Sequence, residues 1–472
     1  MHSGSSLNRR SLLKAAGTTA LAAGAASALA SPALAGGRAV PEEEARYDAI
    51  VIGAGFAGVT AARELRNKGL KPLVLEARDR IGGRVWTSTW AGEQVELGGA
   101  WLHPNYELTY KELNRYGLKT ISDAAPEKAI YPTPAGYKTF APEEIVPRIG
   151  AVLAKVFDGS RQYFERPREP LYRADLLKAV DPLSLRARLD ALKLSAEDLA
   201  LVHGELATYA GGDSRDGALT ALAQWWALCG WTHEGWAQMS AARIEKGASA
   251  LVQSILTAAQ ATVRFNTPVT AVADDGKRVV VTTASGAKFS APVAVVAVPL
   301  NMWKKIQFSP GLPKVHAEAT QEGVGVKPNA AKMWLRVSGD VGRIVVQGNA
   351  GDPIAAMVPH ARLSNGDSLM IALNGPGLNV NDRASVDAAV KKFLPQTRVI
   401  DMKVQDWVND PWSQGGWGMR RPGQMLRQLP AIQQPHGRIA FAGGDLPSGW
   451  IGSFEGAIES GMRAAGQVAP LV

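Results

Sequence analysis

A single cysteine, Cys229, is all that 472 residues contain, which excludes an internal disulfide framework and any CxxC metal site. It lies in an apolar, Trp-rich stretch and reads as a buried, inert thiol. The seven histidines are scattered, with neither HExxH nor CxxCH among them, so no metal or haem site is expected. Formal net charge is +9, yet no dense Lys/Arg run exists. The excess is therefore dispersed and solvated, and nucleic acid is excluded as a partner. Long apolar runs are also missing. The best candidate, residues 15–30, is short and Ala-rich for a membrane span of about 20 strongly apolar residues. There is no internal repeat and no Ser/His/Asp constellation. The length suggests two or three domains, and thirteen Trp point to aromatic surfaces around a ligand.

What is present begins with two glycine segments at opposite ends of the chain. Residues 47–52 read as a buried parallel strand, followed by Gly53, Gly55 and Gly58 in a GxGxxG turn. A helix is expected over 56–68, with Ala57, Ala61 and Leu65 on one face. Gly53 permits the tight turn, Gly55 lets the backbone approach a pyrophosphate, and Gly58 lets helix and strand pack closely. The next strand, 72–75, ends in Glu76, where this fold needs an acid for ribose hydroxyls and where a carboxylate repels a 2′-phosphate. The second segment, Phe441-Ala442-Gly443-Gly444-Asp445, follows another short apolar strand. A dinucleotide held from both ends of so long a chain is FAD rather than NAD.

The first 35 residues read as an export signal. Arg9 and Arg10 precede a weakly apolar Ala/Gly/Thr run, and Ala33-Leu34-Ala35 offers a cleavage site. Paired arginines there resemble a twin-arginine signal, whose machinery carries proteins already folded around their cofactors. A periplasmic location is expected, with cleavage or retention as an anchor left open.

The fold class expected is α/β with an α+β substrate domain. A Rossmann-like FAD-binding domain is assembled from residues 46–105, 240–300 and 435–470, and a substrate-binding domain from 106–239 and 301–434. The segment 106–239 has mainly helical periodicity, with Pro-rich joints at 132–134 and 167–170. Strands are expected at 268–272, 278–283, 287–290, 294–298 and 332–337. The Gly98-Gly99 pair beside a strand suggests backbone lying against a flat ligand.

These motifs, in this order, resemble the flavin-containing amine oxidase family, which includes monoamine oxidases, polyamine oxidases and L-amino-acid oxidases. The resemblance covers nearly the whole chain after Glu44 and implies a monoamine oxidase-like two-domain fold. For FAD it implies contacts from Gly53, Gly55, Phe56, Ala57, Gly58, Glu76, Ala77, Arg78, Gly83, Arg84, Gly98, Gly99, Ala100, Trp101, Val269, Gly444, Asp445, Trp450 and Ile451. Asp445 stands where the family usually has Glu. Gly416 stands where some members carry the cysteine that tethers the flavin, so FAD is expected to be non-covalent. The chemistry implied is hydride removal from the carbon next to an amine nitrogen onto flavin N5, giving an imine that hydrolyses. The amine must be neutral, which a water-excluding aromatic pocket favours.

Lys332 matches the family lysine that holds a water at the flavin, and Trp417 and Ser453 occupy the two cage positions that many monoamine oxidases fill with tyrosines. That half-cage suits a secondary, cyclic or bulky amine. Trp101, His103, Tyr209, Trp226 and Trp450 are expected to shape the substrate pocket, with Trp225 a further candidate. The chain looks most like bacterial amine oxidases of nicotine and pseudooxynicotine breakdown. An L-amino-acid oxidase is the alternative, with Arg420 and Arg421 as candidate cations for a carboxylate. A polyamine oxidase, for which Glu107 and Glu205 are weak acidic candidates, and a flavin-dependent desaturase are further alternatives. Oxygen, a quinone or a cytochrome c are equally compatible acceptors, and a homodimer is allowed.

Overall fold

The structure is a computed structural model that describes residues 47–472, so the proposed signal segment, with Arg9 and Arg10, lies outside the described residues. Five short parallel strands form the central sheet, in the order Thr262–Arg264, Pro72–Leu75, Ala49–Ile52, Val293–Val296, Ile439–Phe441. The middle three are buried at every residue, as a parallel sheet covered on both faces requires. Three distant stretches of sequence thus supply one sheet.

Helix Phe56–Asn67 follows the first strand, one residue shorter than its periodicity predicts. A Cβ on Gly58 would stand 1.9 Å from the Gly53 carbonyl oxygen, so the glycine there is demanded by contact between helix and turn. The C-terminal helix Phe454–Val468 packs against this first helix, bringing the two ends of the described chain side by side.

A second, seven-stranded sheet runs in the order Val399–Asp406, Ala331–Val337, Ser368–Asn374, Ile354–Arg362, Ile344–Gln347, Lys128–Thr133, Gly136–Phe140. The last two strands correct the mainly helical reading of residues 106–239. Proline argued for a joint at 132–134, but the parallel pairing with Ile344–Gln347 covers only Lys128 to Ile130. Pro132 therefore lies beyond that ladder, and its missing N–H breaks no bond there. Apart from the short strand Thr120–Ile121, the regular structure in the remainder of the insertion is helical, and helix Ala196–Tyr209 packs on this sheet. The part built on the parallel sheet and the part built on the seven-stranded sheet with its helices make up the two-domain architecture of a mixed α/β fold.

Candidate active site

A cavity of about 1010 Å³ opens between the C-terminal ends of the parallel strands and the seven-stranded sheet, the place where open α/β sheets bind ligands. At one end stand the glycine segments. A Cβ added to Gly55, Gly443 or Gly444 would meet no atom closer than 3.7, 3.8 and 3.5 Å respectively. Protein packing does not use the bare faces of these glycines, and all three line the cavity. Helix Phe56–Asn67 has no side-chain cap, so the N–H groups of its first turn are available to an anion at its positive end.

Glu76 lines the same end. It accepts from the Ala54 N–H at 2.7 Å and from the Arg78 N–H at 2.9 Å, and burial pushes its pKa up. Each oxygen keeps a lone pair for a further donor. Backbone cradle, helix terminus and fixed carboxylate together fit a dinucleotide.

Gly98 and Gly99 are glycine for a different reason than a flat ligand. A Cβ on Gly98 would stand 2.1 Å from the Arg84 carbonyl oxygen, and one on Gly99 would stand 2.7 Å from the Phe454 ring. Protein packing consumes both Cβ directions, and it is the backbone of the pair that edges the cavity. The Gly98 carbonyl also accepts from Lys332 Nζ at 2.7 Å. That ammonium lies 4.5 Å from the Trp101 ring centre, a cation–π contact. Burial pushes the Lys332 pKa down to about 8; Glu96 opposes the shift and Arg243 adds to it. Lys332 comes from the strand Ala331–Val337, hydrogen-bonded on both sides, so its Cα is rigidly placed.

The far end of the cavity is aromatic. Trp417 donates from its indole N–H to the Tyr209 carbonyl at 3.1 Å, and the Tyr209 ring meets Trp225 and Trp236 edge-on at 5.5 and 5.7 Å. Ser453 lines the wall but its hydroxyl is already committed. It donates to the Trp450 carbonyl at 2.8 Å and accepts from the Gly456 N–H at 3.1 Å, capping helix Phe454–Val468.

Most of the residues singled out from sequence meet on this one wall: Lys332, Trp417, Ser453, Trp101 and Tyr209 at the substrate end, and Gly53, Phe56, Ala57, Glu76, Ala77, Arg78, Gly83, Arg84, Gly98, Gly99, Ala100 and Val269 with the open glycines at the other. Six others are placed elsewhere. Gly58 packs inside the turn. His103 is buried, its Nε2 at 3.1 Å from the Gly235 carbonyl and its Nδ1 accepting from the Asn105 N–H, so it is a structural ring rather than a substrate contact. Trp450 lies off the wall, its ring tilted against His103 and edge-on to Tyr106, each at 5.0 Å, and Ile451 is fully buried. Trp226 faces Phe157 and Trp236, leaving Trp225 to line the cavity.

Asp445 is turned away from the cavity, accepting from Arg84 Nη1 at 2.8 Å and from the Leu300 N–H at 3.0 Å. Sequence reasoning did not single out Tyr106, Tyr131 or Trp236 on the wall. Tyr106 was findable from its position three residues after His103.

Arg420 and Arg421 are also off the wall. Arg420 is buried and donates to Gln224 Oε1 at 3.0 Å and to the Pro447 carbonyl at 2.9 Å. Arg421 pairs with Asp216 at 3.1 Å. Neither is placed to receive a substrate carboxylate.

Fold and cavity define a dinucleotide-dependent oxidoreductase with an aromatic substrate chamber. Residues 56–469 match the family model of the flavin-containing amine oxidoreductases, and the chain belongs to that family. It is a flavin-dependent amine oxidoreductase whose cofactor is FAD. The chain is 34% identical to a pseudooxynicotine dehydrogenase of a Pseudomonas species, over 90% of this chain and 86% of that protein. It is 33% identical to a nicotine dehydrogenase of Pseudomonas putida, over 90% and 89%. Its fold is that of putrescine oxidase, solved with putrescine bound, with a TM-score of 0.76 at 21% identity over 89% of this chain and 98% of that one.

Proposed function

We propose that the protein oxidises a secondary, cyclic or bulky amine of the nicotine or pseudooxynicotine kind. The observation that carries this reading is the one-sided cage: Trp417 forms one wall, while Ser453 leaves the other side open. FAD, when bound, supplies the hydride acceptor for the carbon next to the amine nitrogen. The chain's own residues prepare the amine. Trp101, Tyr209, Trp225 and Trp417 exclude water, and desolvation lowers an amine's pKa and so favours its neutral form. Lys332 holds the Gly98 carbonyl and carries a proton at Nζ beside the wall, suited to orienting a water for hydrolysis of the imine product. The Arg84–Asp445 pair fixes the Gly416 carbonyl, which accepts from Arg84 at 2.8 Å.

Two relatives named as dehydrogenases of nicotine and pseudooxynicotine support the substrate class. Retention of FAD without a tether is supported by glycine at 416 and by the absence of Cys229 from the cavity wall. Export in the folded state to the periplasm rests on Arg9, Arg10 and the small-residue site before Gly36. No helix among the described residues is long and apolar enough to cross a membrane. Anaerobic mixing of the purified yellow protein with an amine panel tests the substrate reading: secondary and cyclic amines should bleach the flavin. Bleaching by L-amino acids but not by secondary amines would refute it. Readmitting oxygen, or adding cytochrome c, then identifies the acceptor.

A further inference from the structure

Glu205 is a charged residue of the aromatic chamber that this chemistry leaves unused. It lines the cavity from helix Ala196–Tyr209. Trp236 Nε1 donates to its Oε1 at 2.8 Å. Among the described residues no other donor reaches the carboxylate and no Lys, Arg or His pairs with it. Burial raises its pKa, opposed by the Trp236 bond alone. The hydroxyls of Tyr131 and Tyr209, both on the cavity wall, lie within reach of its charge. An acid kept in an apolar chamber without a counter-ion is costly, and a few polar groups converging in an aromatic pocket are how such pockets orient a ligand.

Position gives this carboxyl its meaning. Tyr209 carries the carbonyl that holds Trp417, and Glu205 is four residues earlier on the same helical face. Positions 205 and 209 are therefore one turn, about 6 Å, apart along the helix axis, and both residues line the cavity. A substrate whose reacting nitrogen sits at Trp417 would bring its other end to Glu205. We propose that Glu205 is a specificity-determining residue that binds a second basic nitrogen of the substrate, of an amine or a pyridine-type ring, by sharing one proton with it. The second nitrogen supplies the partner the protein withholds, and the proton resides on the carboxyl or the nitrogen without changing the net count. This rests on the reading of the cavity as an amine site.

The test compares two amines of one shape with the holoenzyme: N-methyl-4-(3-pyridyl)butylamine and N-methyl-4-phenylbutylamine. Both offer the same reacting nitrogen, and only the first has a second. Wild-type protein should prefer the pyridyl compound at least tenfold in kcat/KM, through KM rather than kcat. Glu205→Leu, which has no donor for a second nitrogen, should lose the preference, whereas Glu205→Gln, which keeps an oxygen for Trp236 and an N–H for a pyridine-type nitrogen, should lower the preference without abolishing it. Equal wild-type rates, or a pyridyl preference unchanged in Glu205→Leu, would overturn the assignment. If neither amine bleaches the wild-type flavin, the amine-site reading itself has failed and the assignment falls with it.

Discussion

Replacing Asp445 by Asn separates two jobs this residue could have. Its carboxylate is 1% exposed and its partner Arg84 is 21% exposed. Two donors converge on it, Arg84 Nη1 and the Leu300 N–H. Asparagine offers one oxygen where two donors arrive, and turns an NH₂ toward the other. Breaking a buried ion pair from one side costs about 3–5 kcal/mol. Arg84 keeps the Gly416 carbonyl and is one-fifth open to solvent, so the low end applies, about 3 kcal/mol. If that loss fell wholly on the cofactor it would be roughly a hundredfold in Kd. If it falls on the fold, the FAD-stripped protein loses the full amount before any cofactor is added. The structure requires the second outcome: a lower thermal midpoint without FAD, and a smaller secondary loss of affinity because Arg84 lines the cavity. An unchanged midpoint in the stripped protein, with FAD affinity down a hundredfold, would refute the staple and return Asp445 to direct cofactor contact.

Burial pushes the Cys229 thiol up to about 12, so below pH 9 the thiolate is scarce and a thiol reagent should label the native chain slowly and the unfolded chain at once. Lys332 has a folded pKa near 8 against 10.5 for an ordinary lysine, so the unfolded chain binds more protons between those values and stability should rise with pH across that window; Lys332→Met should lack the slope in pH-dependent denaturation. A side chain at 416 would place its Cβ 2.6 Å from the Ala330 Cβ, so Gly416→Cys should weaken FAD retention rather than tether it, read as flavin remaining soluble after acid precipitation. Ser453→Ala should lower the thermal midpoint through loss of the cap, worth about 1 kcal/mol, while Ser453→Asn should retain it.

Where a local backbone rule sets the structure, the sequence was readable. Gly53, Gly58 and Glu76 occupy positions dictated by one turn and two adjacent strands, and the structure places them within a few residues of chain chemistry already implied. Side-chain direction was less accessible. Trp225 and Trp226 are neighbours on helix Leu219–Leu228, about 100° apart around its axis, so the two cannot share one face. Composition gives them equal standing, and only the packing of Phe157 and Trp236 sends Trp226 inward. The hairpin Lys128–Phe140 was masked for a related reason: its proline is disqualifying in a central ladder but neutral just past the end of one, and ladder length is a tertiary fact. His103 and Trp450 bring their rings together at 5.0 Å, a contact between residues more than 300 positions apart that no local pattern encodes.

The loop from Gly443 to Ser453 shows why cofactor and substrate ends of this site are not independent. Gly444 presents bare backbone to the cavity, Asp445 turns back to hold Arg84, and Ser453 ends the loop as the cap of the last helix. That helix packs on the first, whose N-terminus faces the cofactor end. Pocket width at 453 is therefore constrained by capping as well as by substrate. Residues that accept from the Gly456 N–H are short polar ones, whereas a tyrosine, completing an aromatic cage, would forfeit the cap. An open-sided pocket is thus what this helix terminus favours, and a bulkier amine is what an open-sided pocket can take.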